Sequence, residues 1–252
     1  MARPRAVVFG MVDVGSVRGL SSHRLLLIHS PLVGPSTMAR LASSATAAGH
    51  QVATTDLTGV AEAPSPRWRW FVERAAAAAQ GWSPPVVVAH SGAGPMLPAI
   101  AGRLEQGPAA LVFADAVVPP ESGHHRHSAE MAPMLDRQTT GGRLARWLDW
   151  WPDDVVESLL PEPADRVALA ADMPRLPRDF YDEPIPMPAG WSQQRCAYLQ
   201  LSPAYDLDRR RAEQRGWPTI AIDSSHLGLH TDPGPVLEKI GALLDRLAPS
   251  SG

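Results

Sequence analysis

Five short runs of almost wholly apolar residues, each closed by turn formers, restrict the folds open to this chain more than any other feature. They are LLLIHS (25–30), PVVVAHS (85–91), AALVFADA (109–116), CAYLQLS (196–202) and PTIAID (218–223). A strand with one face in water alternates apolar and polar residues. A run that is apolar at nearly every position is buried on both faces, as in a parallel sheet covered by helices on each side. HQVATTDL (50–57) is a sixth candidate, and AVVFGMV (6–12) reads as a separate edge strand.

Helical patterns separate these runs. One covers 37–48. Another is expected to start with Ser65 as N-cap and Pro66 at the first helical position, and to run through FVERAAAAAQ to a stop at Gly81. A third covers 94–104, with Met96, Ile100 and Leu104 on one side. The last starts at Asp232-Pro233 and carries Val236, Ile240, Leu243, Leu244 and Leu247 at helical spacing. Strands alternating with helices predict an α/β fold with a doubly wound, mostly parallel sheet, and the 252 residues fit one domain, 1–252. The rhythm breaks over 120–190, where no core strand is expected. Trp147, Trp150 and Trp151 fall there on an expected helix, followed by a run of prolines. A long insertion inside a compact domain is usually a functional element, so a helical lid is expected.

Composition narrows the function classes. A net charge of −3 and a pI near 6.3 do not suit a nucleic-acid binder, which carries a basic face. No apolar run approaches the length of a membrane helix, so no membrane partner is expected. Cys196 is the only cysteine, which excludes an intrachain disulfide and a thiolate metal cluster. Asp13 interrupts the apolar N-terminal stretch and no small-residue cleavage site follows, so a signal peptide is not expected and a cytoplasmic protein is.

The chemistry concentrates in VVVAHSGAGPMLPAI, where a buried strand runs through Ala89, His90, Ser91, Gly92, Ala93 and Gly94 straight into a helix. A serine presented on a strained strand-to-helix turn needs small neighbours, because the flanking chains pack closely. The usual pattern is G-x-S-x-G. Here Ala89 takes the first position, and the second glycine is displaced to Gly92 and Gly94. The two glycines lack the third glycine and the following acid of a dinucleotide fingerprint, and that reading is set aside.

With its flanking strands, this segment resembles the α/β-hydrolase superfamily over nearly the whole chain from Leu25 onward. The likeness is closest to the small esterase and hydroxynitrile-lyase-like branch, whose H-G-x-x-x-G loop is matched by His29-Ser30-Pro31-Leu32-Val33-Gly34. The resemblance implies Ser91 as nucleophile and a histidine in the loop after the last core strand. IDSSHLGLHTDP offers His226 there, with His230 as competitor. The family usually takes its acid from the loop after the penultimate strand, here LQLSPAYDLD, with Asp206 and Asp208. Some relatives place it at the end of the preceding strand, where this chain has Asp115. Asp115 is preferred and Asp206 is the alternative, while a structural role for Asp115, orienting the insertion, stays open.

The resemblance also implies an oxyanion hole. Its first donor is the N–H of Gly92, and its second falls at Pro31, which has no N–H. Either Leu32 or the Ser30 hydroxyl takes over, or the reaction builds no ordinary oxyanion. His29, Pro31, Trp147, Trp150 and Trp151 are candidates to contact substrate, though the tryptophans equally suit packing of the insertion. His124, His125 and His127 have no carboxylate at clear ligand spacing and read as a solvated loop.

The expectation is therefore a serine-hydrolase-type enzyme for a small apolar ester, lactone or thioester, needing no metal and no cofactor. Lys239 is the only lysine, which with the abundant alanine and proline reads as GC-rich coding; by association this points to bacterial specialised metabolism. The alternatives are a lyase, cyclase or isomerase using Ser91 and His226 as an acid–base pair, and a non-catalytic ligand-binding protein.

Overall fold

A computed structural model describes residues 22–248. The run at 6–12 lies outside them. Six parallel strands form the central sheet: β1 (Arg24–Ile28), β2 (Gln51–Thr54), β3 (Val86–Ser91), β4 (Ala110–Ala116), β5 (Cys196–Gln200) and β6 (Thr219–Ala221). Their spatial order is β6-β5-β4-β3-β1-β2. All five expected core runs and the sixth candidate are strands of this sheet.

The alternation of side chains along each strand splits the core in two. Leu25, Leu27, Val86, Val88, Ala110, Val112, Ala114, Ala197 and Leu199 point to one face. There they meet Met38, Leu41 and Ala45 of α1 (Ser36–Ala47). Val236, Ile240, Leu243 and Leu244 cover the same face from a long C-terminal helix, Pro233–Leu247. Leu26, Ile28, Val87, Ala89, Leu111, Phe113, Cys196 and Tyr198 point to the other face. That face is covered by Phe71, Val72 and Ala75 of α2 (Arg67–Ala77), with Leu97 and Ile100 of α3 (Leu97–Ala101). Both faces are apolar because both are covered, which is why the strands show no polar alternation.

Two helix starts differ from expectation. Ser65 does not cap α2, which begins at Arg67 with Pro66 in the cap position and no side-chain hydrogen bond. The helix expected over 94–104 is a 3₁₀ turn, Gly94–Met96, followed by the short α3.

Between β4 and β5 the chain adds no strand to the central sheet. It forms α4 (Ala132–Arg137), α5 (Asp153–Leu159) and α6 (Pro163–Ala171). Two short antiparallel pairs join His124–His125 to Ile185–Pro186 and Thr139–Thr140 to Arg143–Leu144. This segment is tied to the sheet domain by packing. Leu135, Leu144, Leu176 and Phe180 join the core on the Phe113 side, while Leu148, Leu160, Leu169 and Met173 pack with Val33 and Leu227. Val33 follows β1 and Leu227 follows His226, so this packing lies beside the loops that leave β1 and β6. Among the described residues no helix is long and apolar enough to cross a membrane.

In the order 2-1-3-4-5-6 the direction of winding reverses between β1 and β3. Crevices at such switch points, outside the C-terminal strand ends, are where open α/β sheets bind ligands. The loop after β1 and the turn after β3 meet there.

Candidate active site

Ser91 ends β3 with φ at +57°, a left-handed conformation that a residue with a side chain seldom adopts. The turn survives because its neighbours leave room. A β-carbon on Gly94 would collide with the carbonyl of Val117, and the Ser91 carbonyl accepts from the Val117 N–H at 3.2 Å. A β-carbon on Gly92 would crowd Ser30 Oγ, at 3.2 Å. The small residues after the serine are thus demanded by the chains beside it.

Asp115 is the second strained residue, with φ at +45°. The β3–β4 register passes from His90 opposite Ala114 to Ser91 opposite Ala116, so Asp115 is the extra residue of a bulge. Bulges re-aim side chains at sheet ends. Here the bulge sends a carboxylate with no solvent exposure along the strand ends towards β5 and the loop after β6.

Four donors meet that carboxylate. Oδ1 accepts from the backbone N–H groups of Leu201 (2.9 Å) and Ser202 (3.0 Å). Oδ2 accepts from Ser202 Oγ at 2.6 Å and lies 2.7 Å from His226 Nδ1. Burial pushes the carboxyl upward, but the His226, Ser202 and Leu201 hydrogen bonds outweigh it, and Asp115 is held below the usual aspartate range. An ionised carboxylate only accepts, so His226 carries its proton on Nδ1 and presents Nε2 as an acceptor. Nε2 lies 3.1 Å from Ser91 Oγ. The serine proton therefore points at a base whose tautomer is fixed by a buried anion.

His226 is held from three sides. His90, under the elbow, donates from Nε2 to the His226 carbonyl at 2.9 Å, and its ring centroid is 4.5 Å from that of His226. Burial, then the nearby His226, lowers His90 to about 3, so it is a neutral donor. Trp147 approaches with a centroid distance of 5.9 Å. Tyr205 stacks on the imidazole at 5.0 Å, nearly parallel, and its hydroxyl lies 3.0 Å from Ser91 Oγ. Sequence reasoning passed over Tyr205 and Ser202, although both lie in LQLSPAYDLD, the segment searched for an acid. A strand end followed by Ser-Pro where the family usually has its carboxylate was the available signal.

The structure gathers Ser91, His226 and Asp115 and places Asp206, Asp208 and His230 apart from them. Asp206 is at the surface, bound to Arg209 and Arg210 at 2.6 and 2.7 Å. Asp208 accepts from the Val118 N–H and pairs with Arg211. His230 is buried with Nδ1 3.2 Å from the Ser36 carbonyl and Nε2 3.4 Å from Asp165.

Above Ser91 lies a narrow pocket with a cavity volume of only about 10 Å³, lined by Ser30, Leu32, Val33, His90, Trp147 and Leu227 together with Ser91 and His226. Ser30 Oγ accepts weakly from the Leu32 N–H at 3.4 Å. Four residues expected to contact substrate, His29, Pro31, Trp150 and Trp151, do not line this pocket. His29 is buried with both ring nitrogens engaged: Nδ1 contacts the Ser30 carbonyl at 2.9 Å and Nε2 accepts from the Leu57 N–H at 3.0 Å. It braces the loop instead of lining the pocket. Trp150 donates to the Ala145 carbonyl and packs on the main core, and Trp151 is exposed behind Trp147, at 6.1 Å. The three tryptophans share no helix face, because a 3₁₀ turn, Trp147–Trp150, ends before Trp151. Pro31 is buried beside Gly92, with Cδ 3.6 Å from where a β-carbon would stand.

His124 is exposed as a solvated loop would be, but His125 and His127 are not: they meet edge to face at 4.9 Å, and His127 packs on Tyr181 at 4.6 Å. Burial lowers them to about 4 and about 3. Among the described residues no group of three potential ligands is gathered for a metal ion.

No protein-family model matches the sequence, and no curated protein matches it. Solved structures do. An extracellular alpha/beta-hydrolase from a Paenibacillus species is 14% identical, with a TM-score of 0.69 over 90% of this chain and 100% of its own. Tomato methylketone synthase I, complexed with 2-tridecanone, is 12% identical with a TM-score of 0.67, over 90% and 99%. A methylesterase from Arabidopsis is 14% identical with a TM-score of 0.65, over 89% and 99%. With the strained serine at the end of β3, these likenesses identify the architecture: this chain has the α/β-hydrolase fold.

Proposed function

We propose that the protein is a serine esterase for small, largely apolar carboxylic esters, with Ser91 as nucleophile, His226 as general base and Asp115 as the acid that orients it. The observation that carries this reading is the unbroken line from a buried anion through a single histidine tautomer to a strained serine: 2.7 Å from Asp115 to Nδ1 and 3.1 Å from Nε2 to Oγ. His226 takes the Ser91 proton as Oγ bonds to the substrate carbonyl carbon, then gives it to the leaving oxygen. Water repeats the sequence to release the acid.

The oxyanion falls to Gly92 N–H and Ser30. Pro31 has no N–H to give, and Leu32 N–H points back at Ser30 Oγ, which leaves the Ser30 proton free to donate into the pocket. The segment over 120–190 acts as a cap that sets substrate shape, with Trp147 as its one tryptophan over the imidazole. The names of similar solved structures, a methylesterase and a polyneuridine aldehyde esterase among them, agree with ester cleavage. A lone buried Cys196 makes no demand for an oxidising compartment and fits the cytoplasm.

Pro31 favours one further reading, in which Ser91 and His226 only exchange a proton with substrate and no acyl-enzyme forms. Turnover of a panel of short alkyl and aryl esters separates the two. Hydrolysis by the wild type and none by Ser91→Ala supports the esterase; a folded wild type inert towards the whole panel rejects it.

A further inference from the structure

We propose that Tyr205 is a fourth catalytic residue, a hydrogen-bond donor that stabilises the leaving oxygen as it departs; the proposal rests on the ester-cleavage reading above. Its donor role follows from counting protons at Ser91 Oγ. The serine has one proton, and His226 Nε2, fixed as an acceptor by Asp115, receives it at 3.1 Å. The Tyr205 hydroxyl lies 3.0 Å from the same oxygen and must therefore donate to a serine lone pair. Burial raises the phenol well above its ordinary range, only partly offset by the Ser91 contact, so the donor keeps its proton.

Position sets which oxygen Tyr205 serves next. Ser30 and Leu32 line the pocket over Ser91, and Gly92 lies against Ser30, so the oxyanion donors form one side. Tyr205 is not among the residues lining that pocket. It lies flat on His226, with the ring planes only 7° apart, so its O–H and Nε2 approach Oγ side by side. The leaving oxygen has to come to Nε2–H to be protonated, which brings it beside the phenol.

The step balances without any further reactant. Oγ bonds to the carbonyl carbon, its proton passes to Nε2, and the carbonyl π pair moves to the oxyanion. On collapse the bond from that carbon to the leaving oxygen breaks, its electron pair stays on that oxygen, and the Nε2 proton joins it. Oγ has by then become an ester oxygen, a poor acceptor, so the Tyr205 hydrogen bond transfers to the leaving oxygen on the same carbon. Tyr205 lends the bond and retains its proton.

Such help matters for a basic alkoxide and little for a stabilised phenolate. The test is Tyr205→Phe, which keeps the ring on His226, assayed on acetate esters running from p-nitrophenyl to ethyl, with the unfolding midpoint measured alongside. The expected result is a loss of about 10²-fold on the ethyl ester and less than about threefold on the p-nitrophenyl ester, a steeper dependence of rate on leaving-group pKa. An equal loss across the series would assign Tyr205 to holding Ser91 or to the oxyanion, and would overturn the proposal. No loss on any ester would overturn it too. If the wild type hydrolyses none of the series, the ester-cleavage reading fails and this proposal with it.

Discussion

Replacing Asp115 by asparagine isolates the contribution of its charge, and the outcome follows from the four donors around it. Oδ1 faces two backbone N–H groups that cannot turn away, from Leu201 and Ser202. The amide oxygen of asparagine must take that side, which aims the NH₂ group at Ser202 Oγ and His226 Nδ1. The hydroxyl of Ser202 can rotate to accept. His226 can accept only by moving its proton to Nε2, 3.1 Å from Ser91 Oγ, and the base that should receive the serine proton then holds one already. A Ser-His-Asp protease with this wrong tautomer loses about 10⁴ in turnover, or about 5.5 kcal/mol of barrier, and a similar loss is expected here. Loss of the charge-assisted bonds costs the fold about 1–3 kcal/mol, partly offset because a buried anion no longer needs compensation. The assay is ester turnover with the denaturation midpoint, on Asp115→Asn and on Asp206→Asn. Asp206 is a surface partner of Arg209 and Arg210, and its variant should stay within about threefold of wild type. A folded Asp115→Asn that keeps turnover within about tenfold would refute the tautomer argument.

His226→Ala is expected to abolish turnover with the fold intact. His230→Ala should instead lower the unfolding midpoint, because the buried His230 ring holds the Ser36 carbonyl through Nδ1, and should spare turnover; exchanged phenotypes would move the base. Ser30→Ala should cost about 10² in turnover if the hydroxyl replaces the donor absent at Pro31, whereas an unchanged rate would return that role to Leu32. Stability should fall on mild acidification. His90, His125 and His127 are lowered to about 3, about 4 and about 3, so from the ordinary histidine value of 6.5 down to about 4 the unfolded chain binds protons that the native sites refuse. Denaturant midpoints measured across that window should decline with pH, and a flat profile would show these imidazoles to be charged or exposed.

The sheet was readable from sequence because burial on both faces erases polar alternation, and a run such as VVVA or LLLI has no other stable place in a chain of this size. Ser91 was readable for a related reason: only small residues fit where Gly94 meets the Val117 carbonyl. Asp115 stood out as a charge at the end of an apolar strand, although the bulge that turns it towards His226 is a property of register that no local pattern encodes. Tyr205 was hidden because its role depends on a 3₁₀ turn, Pro203–Tyr205, folding back over a histidine 21 positions later in the chain. His29 misled for the opposite reason. A histidine in an oxyanion-type loop looks the same in sequence whether it faces substrate or, as here, is sealed between Ser30 and Leu57. The three tryptophans were adjacent in sequence, and only the insertion's own packing decides that Trp147 alone reaches the site.

The most direct test of an activated serine is covalent labelling with a fluorophosphonate, which needs the nucleophile and its base but no knowledge of the natural substrate. The wild type should take up one adduct, mapped by peptide mass to Ser91, with none in Ser91→Ala and greatly slowed uptake in His226→Ala and Asp115→Asn. A folded wild type that stays unlabelled, or carries its adduct on another residue, would contradict the account.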